Sequence, residues 1–294
     1  MKSALIIGCG YTGTRLATRL MDIGMKVAGT TRSGERAAEL EASGVEPLVG
    51  GLQGRELLLG IDKVCPDLIV YFVPPQVTDA DPLGPVLASL ARSPLEAFVY
   101  VSSTAVYGNR DGEWVDESTT VRPGTPVARA RCQAERIVID AARTRGTPTR
   151  VCRVTGIYGP ERTLKKLLQS GNYVLIRDHD AWVNRIHVDD LASGLVAAWQ
   201  AGGAAEVYNL TDDEPHRTSE FAFMAADLHG LPRPRIVDAK EAAELLGEER
   251  LRRKLDSKRV RNRRMREELG VQLEFPSYKI GLPSAVAEEQ ASGP

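Results

Sequence analysis

The sequence is short of the residues on which metal and disulfide chemistry depend. It has four cysteines and four histidines. Cys9, Cys65, Cys132 and Cys152 stand far apart with no CxxC pair, and no two histidines stand at ligand spacing. Neither a disulfide framework nor a metal site is expected. Long apolar runs are also missing, since none approaches the ~18–20 residues that cross a bilayer. The opening run Ala4-Leu5-Ile6-Ile7 is too short for the core of a signal peptide, and no small-residue cleavage site follows. A cytoplasmic location is therefore expected. Net charge is small, 38 − 39 = −1, which gives no general attraction to nucleic acid or acidic lipid. No membrane or nucleic-acid partner is expected.

The rest of the composition is that of an ordinary globular chain. Of 294 residues, 43% are apolar and 26% charged, near the usual values of about 45–50% and about 25%. Such a length can bury a sizeable core. The charge is uneven, however. Between Arg250 and Arg266, ten Lys/Arg stand against one acid, Asp256, a local charge of 10 − 1 = +9, so the remainder carries −1 − 9 = −10. Within Lys258–Arg266, Met265 and then Leu269-Gly270 read as one face and the end of a helix, and no aromatic follows until Phe275. A solvated helix face edging a pocket for an anionic substrate is expected there, in preference to DNA binding.

The N-terminal half alternates strand and helix patterns. Ala4–Ile7, Lys26–Thr30, Val45–Val49, Asp67–Val73 and Ala97–Val101 read as strands; helical spacing follows at Leu16–Ile23, Glu35–Ala42 and Leu83–Arg92. Further helical segments fall at Ala128–Arg143 and Val188–Ala201, and strand-like ones at Arg150–Val154 and Val207–Leu210. The pattern predicts an α/β fold, a Rossmann-type doubly wound parallel sheet with a smaller C-terminal substrate lobe. Residues 1–155 are expected to form the dinucleotide-binding domain and 156–294 mainly the substrate lobe, with some segments returning to the sheet. After Thr211, helices are expected between Pro/Gly-rich connections, among them Leu231-Pro232-Arg233-Pro234, Phe275-Pro276 and Leu282-Pro283.

Gly8-Cys9-Gly10-Tyr11-Thr12-Gly13 lies between a buried strand and an amphipathic helix. In that context GxGxxG points to a dinucleotide site. Gly8 permits the tight turn, Gly10 lets backbone amides approach a pyrophosphate, and Gly13 lets helix and strand pack closely. An acid about 20 residues on would accept a ribose 2′-hydroxyl. Here Thr30-Thr31-Arg32-Ser33 stands in its place, with no acid until Glu35. A guanidinium with hydroxyls suits a 2′-phosphate, so NADP(H) is favoured over NAD(H). The expected cofactor residues are Gly8, Gly10, Tyr11, Thr12, Gly13, Thr31, Arg32, Ser33 and Val73.

Val101-Ser102-Ser103-Thr104-Ala105-Val106-Tyr107-Gly108 closes the fifth strand. Later come Arg153-Val154-Thr155-Gly156-Ile157-Tyr158-Gly159-Pro160, Asn184-Arg185-Ile186-His187-Val188-Asp189-Asp190-Leu191-Ala192 and Glu206-Val207-Tyr208-Asn209-Leu210. Together with the glycine turn, these segments resemble the extended short-chain dehydrogenase/reductase family, which includes nucleotide-sugar epimerases and dehydratases. The resemblance implies a substrate oxygen bonded by Ser103, and a Tyr-x-x-x-Lys on the next helix. This chain has Val127 and Arg131 at those two positions. Valine donates no proton; Arg131 can hold a ribose but does not shuttle protons. Acids that dehydratases carry after the Ser/Thr are replaced by Thr104 and Ala105. These departures, and GxGxxG in place of GxxGxxG, resemble the atypical extended-like subgroup of epimerase/dehydratase-like proteins lacking the usual active-site tyrosine.

Ser103 is thus the expected hydrogen-bond donor to substrate, and Tyr107, Tyr158 and His187 are the candidates to replace the lost phenol. The crevice is expected between Gly8–Gly13, Ser103, Val127, Arg131 and the Tyr158 loop, with Pro74-Pro75 shaping its edge. Two functions follow from the residues. One is an NADP(H)-dependent oxidoreductase or epimerase-like protein acting on a carbonyl, imine or sugar-like small molecule. The other is a catalytically silent NADP(H)-binding sensor or scaffold. A homodimer stays open.

Overall fold

The computed structural model describes residues 1–50, 55–76, 82–90 and 94–291, without the side chains of 55–57. Its first half alternates β1 (Ser3–Ile7), α1 (Tyr11–Asp22), β2 (Lys26–Thr31), α2 (Gly34–Ala42) and β3 (Glu46–Val49). Then come α3 (Arg55–Val64), β4 (Leu68–Tyr71), α4 (Leu83–Ser89), β5 (Ala97–Ser103), β6 (Trp114–Val115), α5 (Pro126–Arg145) and β7 (Thr149–Val154). The second half begins with β8 (Gly156–Tyr158), α6 (Lys165–Gln169), β9 (Val174–Ile176), β10 (Trp182–Val183), β11 (Arg185–His187), α7 (Val188–Ala201) and β12 (Glu206–Leu210). It ends with β13 (His216–Arg217), α8 (Thr218–Leu228), β14 (Arg235–Val237), α9 (Ala239–Leu255), β15 (Arg259–Val260), α10 (Arg263–Glu267) and α11 (Tyr278–Ala291).

Seven strands form one parallel sheet in the order β12-β7-β5-β4-β1-β2-β3. The period of two along each strand divides the core. Ala4, Ile6, Leu68, Val70, Val99 and Val101 face Leu16, Leu20, Leu191 and Leu195 of α1 and α7. Leu5, Ile7, Ile69, Tyr71, Phe98 and Tyr100 face Val86, Leu87, Val138 and Ala141 of α4 and α5. Helices therefore cover both faces, which is why these strands read as unbroken apolar runs. β12 returns to this sheet from the second half of the chain, beside β7.

Helix α5 starts and stops where its caps dictate. The Thr125 hydroxyl accepts from Ala128 N, Pro126 takes the first turn, and Gly146 closes the helix at φ 70°. A buried ion pair bolts α5 to β7: Arg153 donates to Glu135 through Nε (3.2 Å) and Nη2 (2.7 Å). Ser102 Oγ donates to the same carboxylate at 2.6 Å, and Arg153 Nη1 donates to Tyr107 Oη at 3.0 Å.

Several local expectations need correction. β4 stops at Tyr71, short of Val73, although Phe72 N still donates to Ile7 O of β1. α4 covers Leu83–Ser89, and residues 91–92 of that expected helix lie outside the described residues. α3 was not expected from the pattern. Leu282-Pro283 is no connection, since Pro283 lies inside α11. Burial of Tyr278, Leu282, Ala285 and Val286 on that helix offsets the one amide bond proline forfeits. Lys258–Arg266 is not a single helix face either. Arg259–Val260 pair with β6, Val260 is buried beside Val106 and Val115, and helix begins only at Arg263.

The smaller lobe packs α8 and α11 around Tyr158, Phe221, Tyr278 and Leu282. His216 is buried there against Phe221 and Tyr278, with ring centroids 5.6 and 4.3 Å away. Burial, reinforced by the cation Arg185, pushes its pKa down to about 4.

Two predictions follow from this packing. Arg153→Met leaves the Glu135 carboxylate buried without its cation and costs about 3–5 kcal/mol in denaturant unfolding; a loss under 1 kcal/mol contradicts the structural role. For His216, the unfolded chain binds the proton near pH 6.5 and the folded chain only near 4, so stability falls as pH falls through that window. Acidifying from pH 7 to 5 costs about 2 kcal/mol through this group. The acid-side slope should be shallower in His216→Gln; equal slopes contradict the assignment.

Candidate functional site

The strand order reverses between β1 and β4: β2 and β3 extend to one side, β5, β7 and β12 to the other. Ligands of such sheets bind outside the carboxyl ends of the strands at that reversal. Here the loops leaving β1, β4, β5 and β7 line two cavities that share Gly8, Gly10, Phe72 and Pro74.

The first cavity, about 620 Å³, is lined by Gly8, Gly10, Thr31, Arg32, Arg36 and Val73, with other residues of the same loops. Arg32 is exposed and has no ion-pair partner among the described residues. Arg36, by contrast, is committed to Glu39 and Thr14. The second cavity, about 380 Å³, brings Gly8, Gly10, Tyr11, Thr12 and Gly13 together with Ser103 and Arg131. Of the cofactor residues expected from sequence, only Ser33 lines neither cavity; its hydroxyl caps α2 by accepting from Arg36 N at 3.2 Å.

The glycine turn is built for close approach. Gly8 sits at φ +88°, its amide donates to Thr30 Oγ1 at 2.8 Å, and a Cβ would press on Val73 at 3.2 Å. A Cβ on Gly13 would meet Ile6 at 3.1 Å, whereas one on Gly10 would meet nothing within 4 Å. No side chain caps the N-terminus of α1, so its first amides are left for a ligand. These features fit the pyrophosphate of a dinucleotide. Cys9, inside the turn, is buried, and desolvation pushes its thiol up to about 11. It is a packing residue. Burial likewise raises the Tyr11 phenol to about 12, and its hydroxyl donates to Pro160 O at 2.8 Å.

Ser103 lies where β5 ends, and its Oγ accepts from Ala105 N at 3.2 Å. Its O–H has no acceptor among the described residues. Ser103 and Thr155 line both the second cavity and a third of about 330 Å³. That third cavity is walled by Gly156, Asn184 and Arg185 from one side and Arg253, Asp256 and Lys258 from the other.

The three candidates to replace the phenol do not line these cavities. Tyr107 is fully buried; it donates to Asn209 Oδ1 at 2.8 Å and takes a bond from Arg153. Desolvation raises it to about 12. Tyr158 is enclosed by His187, Phe221 and Gly281, and burial pushes its phenol far up. His187 caps α7, its Nδ1 accepting from Asp189 N at 3.3 Å, and packs 4.0 Å from the Phe275 ring. Burial drives its pKa down to about 4, so it is neutral near pH 7. Val127 also lies outside the cavity linings.

Sequence reasoning missed Arg36, Phe72, Thr155, Arg162, Arg185 and Asp256 as lining residues; Lys258 belongs to the basic run expected to edge a pocket, and it does line one, though from a strand-side stretch and not from a helix face. Thr155 could have been found, since it follows β7 at the carboxyl edge of the sheet. Asp256 carries no local signal, because tertiary folding alone brings it to the cavity that Ser103 lines. A larger recess of about 700 Å³ lies at edge strand β12 near Glu117, Glu206, Arg261 and Arg264. It contains none of the expected site residues. Arg264 there donates to Val207 O, Glu206 and Glu268, which covers the open edge of the sheet.

The NAD dependent epimerase/dehydratase family model matches residues 4–211 of this chain. A 4-hydroxy-2-methyl-3-oxo-4-farnesyl-3,4-dihydroquinoline-1-oxide ketoreductase from Stigmatella aurantiaca is 29% identical over 249 residues, 79% of this chain and 74% of that protein. A dTDP-glucose 4,6-dehydratase from Streptomyces griseus is 27% identical over 137 residues; the match spans 42% of this chain and only 40% of that protein. Among solved structures, a functionally unknown conserved protein from Silicibacter pomeroyi is 33% identical with a TM-score of 0.82, covering 98% of this chain and 99% of that one. The family match takes in the glycine turn, the Ser103 strand end and every strand of the large sheet, and the chain belongs to the NAD-dependent epimerase/dehydratase family.

Proposed function

We propose that this protein is an oxidoreductase that binds NADP(H) in preference to NAD(H) and transfers hydride to or from a carbonyl, imine or sugar-like small molecule. The observation that carries the reading is the continuity of the crevice. The glycine turn and Arg131 share one cavity with Ser103, and Ser103 in turn shares a cavity with Arg185, Arg253 and Lys258. A dinucleotide held by the amides of Tyr11–Gly13 would run from Arg32 to Arg131, with its reactive end toward Ser103. When bound, it supplies or accepts the hydride. The chain's own residues orient the substrate: Ser103 donates to the oxygen on which charge builds, and the guanidinium of Arg131 holds a ribose hydroxyl. The cationic wall of the third cavity favours an anionic group on the substrate. The ketoreductase relative supports a ketone as one substrate class, and the dehydratase relative supports a sugar.

NADP(H) preference rests on Arg32. A guanidinium beside Thr31 that has no ion-pair partner among the described residues, with no acid among the described lining residues, suits a 2′-phosphate and offers a 2′-hydroxyl no carboxylate among them. The silent-binding reading is favoured by one observation, namely that Tyr107, Tyr158 and His187 all lie away from Ser103. It requires that no other proton source reaches the cavity.

Calorimetric titration should find NADPH bound more tightly than NADH. Arg32→Ala should weaken NADPH binding about tenfold, the worth of one charge-assisted hydrogen bond (~1.5 kcal/mol), with little effect on NADH. Tighter binding of NADH by the unsubstituted protein contradicts the preference. Turnover is tested by NADPH oxidation over aldehydes, ketones, imines and nucleotide sugars. Ser103→Ala should lower kcat about 100-fold, the typical effect of losing one donor to a developing oxyanion. Equal turnover removes Ser103 from the mechanism. Silence on every substrate, with NADPH bound, favours the sensor.

A further inference from the structure

Hydride chemistry at Ser103 needs a proton as well as a hydrogen bond. The groups capable of giving one are few. Of the polar residues lining the second cavity, Arg131 and Arg162 carry guanidinium groups, which are poor proton donors as a class, and Tyr11 is a high-pKa phenol already bonded to Pro160. Arg185 and Arg253 of the third cavity are guanidinium side chains too, which leaves Asp256 and Lys258. We propose that Lys258 is the proton donor and acceptor of this site, in the role left empty by Val127, with Asp256 as its charge partner. The inference rests on the oxidoreductase reading above.

The lysine is held in place by its backbone. Lys258 N donates to Trp182 O at 3.0 Å, and Ser257 Oγ accepts from Trp182 N at 3.0 Å. On the other side, Arg110 N and Gly112 N both donate to Ser257 O at 3.0 Å, and Ser257 N donates to Asn109 Oδ1 at 2.9 Å. Two residues on, Asn184 Oδ1 accepts from Val260 N at 2.9 Å. The stretch 257–260 is thus pinned between the loop after β5 and the β10–β11 segment, which sets Lys258 at the cavity wall. Lys258 is 9% exposed and lines the cavity with Ser103, Thr104 and Ala105. Its ammonium lies 3.8 Å from Asp256 Oδ2, too far for a hydrogen bond, and has no hydrogen-bond partner among the described residues.

An amine buried among cations gives up its proton more readily than a free lysine. Desolvation lowers the Lys258 pKa most, Asp256 opposes the shift, and Arg110 adds to it. Arg185 and Arg253 line the same cavity. Asp256 is shifted upward by its own burial. An ammonium so placed is a stronger acid than a solvated one, and general acids work best with a pKa nearer the operating pH. In reduction the substrate C=O π bond opens. Carbon accepts the hydride that a bound dihydronicotinamide supplies and is reduced, while the nicotinamide is oxidised. The oxygen keeps the electron pair, accepts the hydrogen bond of Ser103, and takes a proton from the Lys258 ammonium to become a hydroxyl. The neutral amine then recovers a proton from water in the open cavity. Oxidation runs the same transfers backward.

The first test needs no substrate. Trace labelling with fluorodinitrobenzene across a pH series, read peptide by peptide, compares Lys258 with exposed Lys240 in the same digest. The Lys258 midpoint should lie below that of Lys240. A coincident midpoint overturns the proposal, as does an absence of labelling at every pH, which would mean the amine does not open into the cavity. The second test uses carbonyl reduction by the holoprotein. The unsubstituted protein should lose rate as pH rises, and Lys258→Met should lower kcat about 100-fold or more, the usual contribution of a positioned acid, with that pH dependence gone. Lys258→Arg should remain equally slow, since it restores charge without a transferable proton. Recovery in the arginine variant, or unchanged kcat in the methionine variant with dinucleotide bound, overturns the donor role alone. No turnover by the unsubstituted protein fails the oxidoreductase reading and the donor role with it.

Discussion

Two neighbouring parallel strands, β1 and β4, send their chains to opposite sides of the sheet, and the rest of the site depends on that divergence. No helix can close over the gap between their carboxyl ends, so the loops that leave them, Gly8–Gly10 and Phe72–Pro74, border a crevice. The first turn of α1 then opens onto the crevice with uncapped amides. β5 and β7, next in order beyond β4, deliver Ser103 and Thr155 to the same edge. The position of each of these residues follows from strand order, and the strand order is held by two apolar layers that the period of two assigns to opposite faces.

Charge is handled differently in the two halves of the crevice. Beneath the dinucleotide half, Glu135 and Arg153 neutralise each other and tie Ser102, one residue from Ser103, to α5. A pair so buried gains little over apolar packing, but it fixes the strand end against the helix that carries Arg131. In the third cavity, cations outnumber acids among the described lining residues: Arg185, Arg253 and Lys258 against Asp256. The surplus makes the cavity attractive to anions and makes an ammonium within it easier to deprotonate. The helix position that holds the family's tyrosine carries a valine here, and under the proposal above the same electrostatics would serve both binding and proton transfer.

The large sheet was legible because its strands are buried on both faces. Ala4–Ile7 and Ala97–Val101 have few residues that fit any other element. Gly8 and Gly13 were legible because a tight turn and a helix–strand contact each exclude a side chain, and Gly10 because it keeps the approach to the α1 amides open. The substrate half was not. Tyr107, Tyr158 and His187 looked chemical in sequence, yet motif position says nothing of burial, and tertiary packing turned all three inward. Lys258 lay in a run of basic residues that reads as a solvated surface. The pairing of Arg259–Val260 with β6 and the clamp on Ser257 bring it to the wall of the cavity that Ser103 also lines. Pro283 misled for a related reason, since local propensity is overruled where a helix buries enough apolar surface.

The central claim is that a dinucleotide occupies the crevice at the strand reversal, and amide hydrogen exchange with and without NADPH tests it most directly. Protection should rise in residues 8–14, 30–36, 72–74, 101–103 and 154–157, the segments that line the two cavities. Residues 205–207 and 261–268, around the larger recess at β12, should exchange at unchanged rates. Protection confined to that recess, with the glycine turn exchanging as before, would contradict the account.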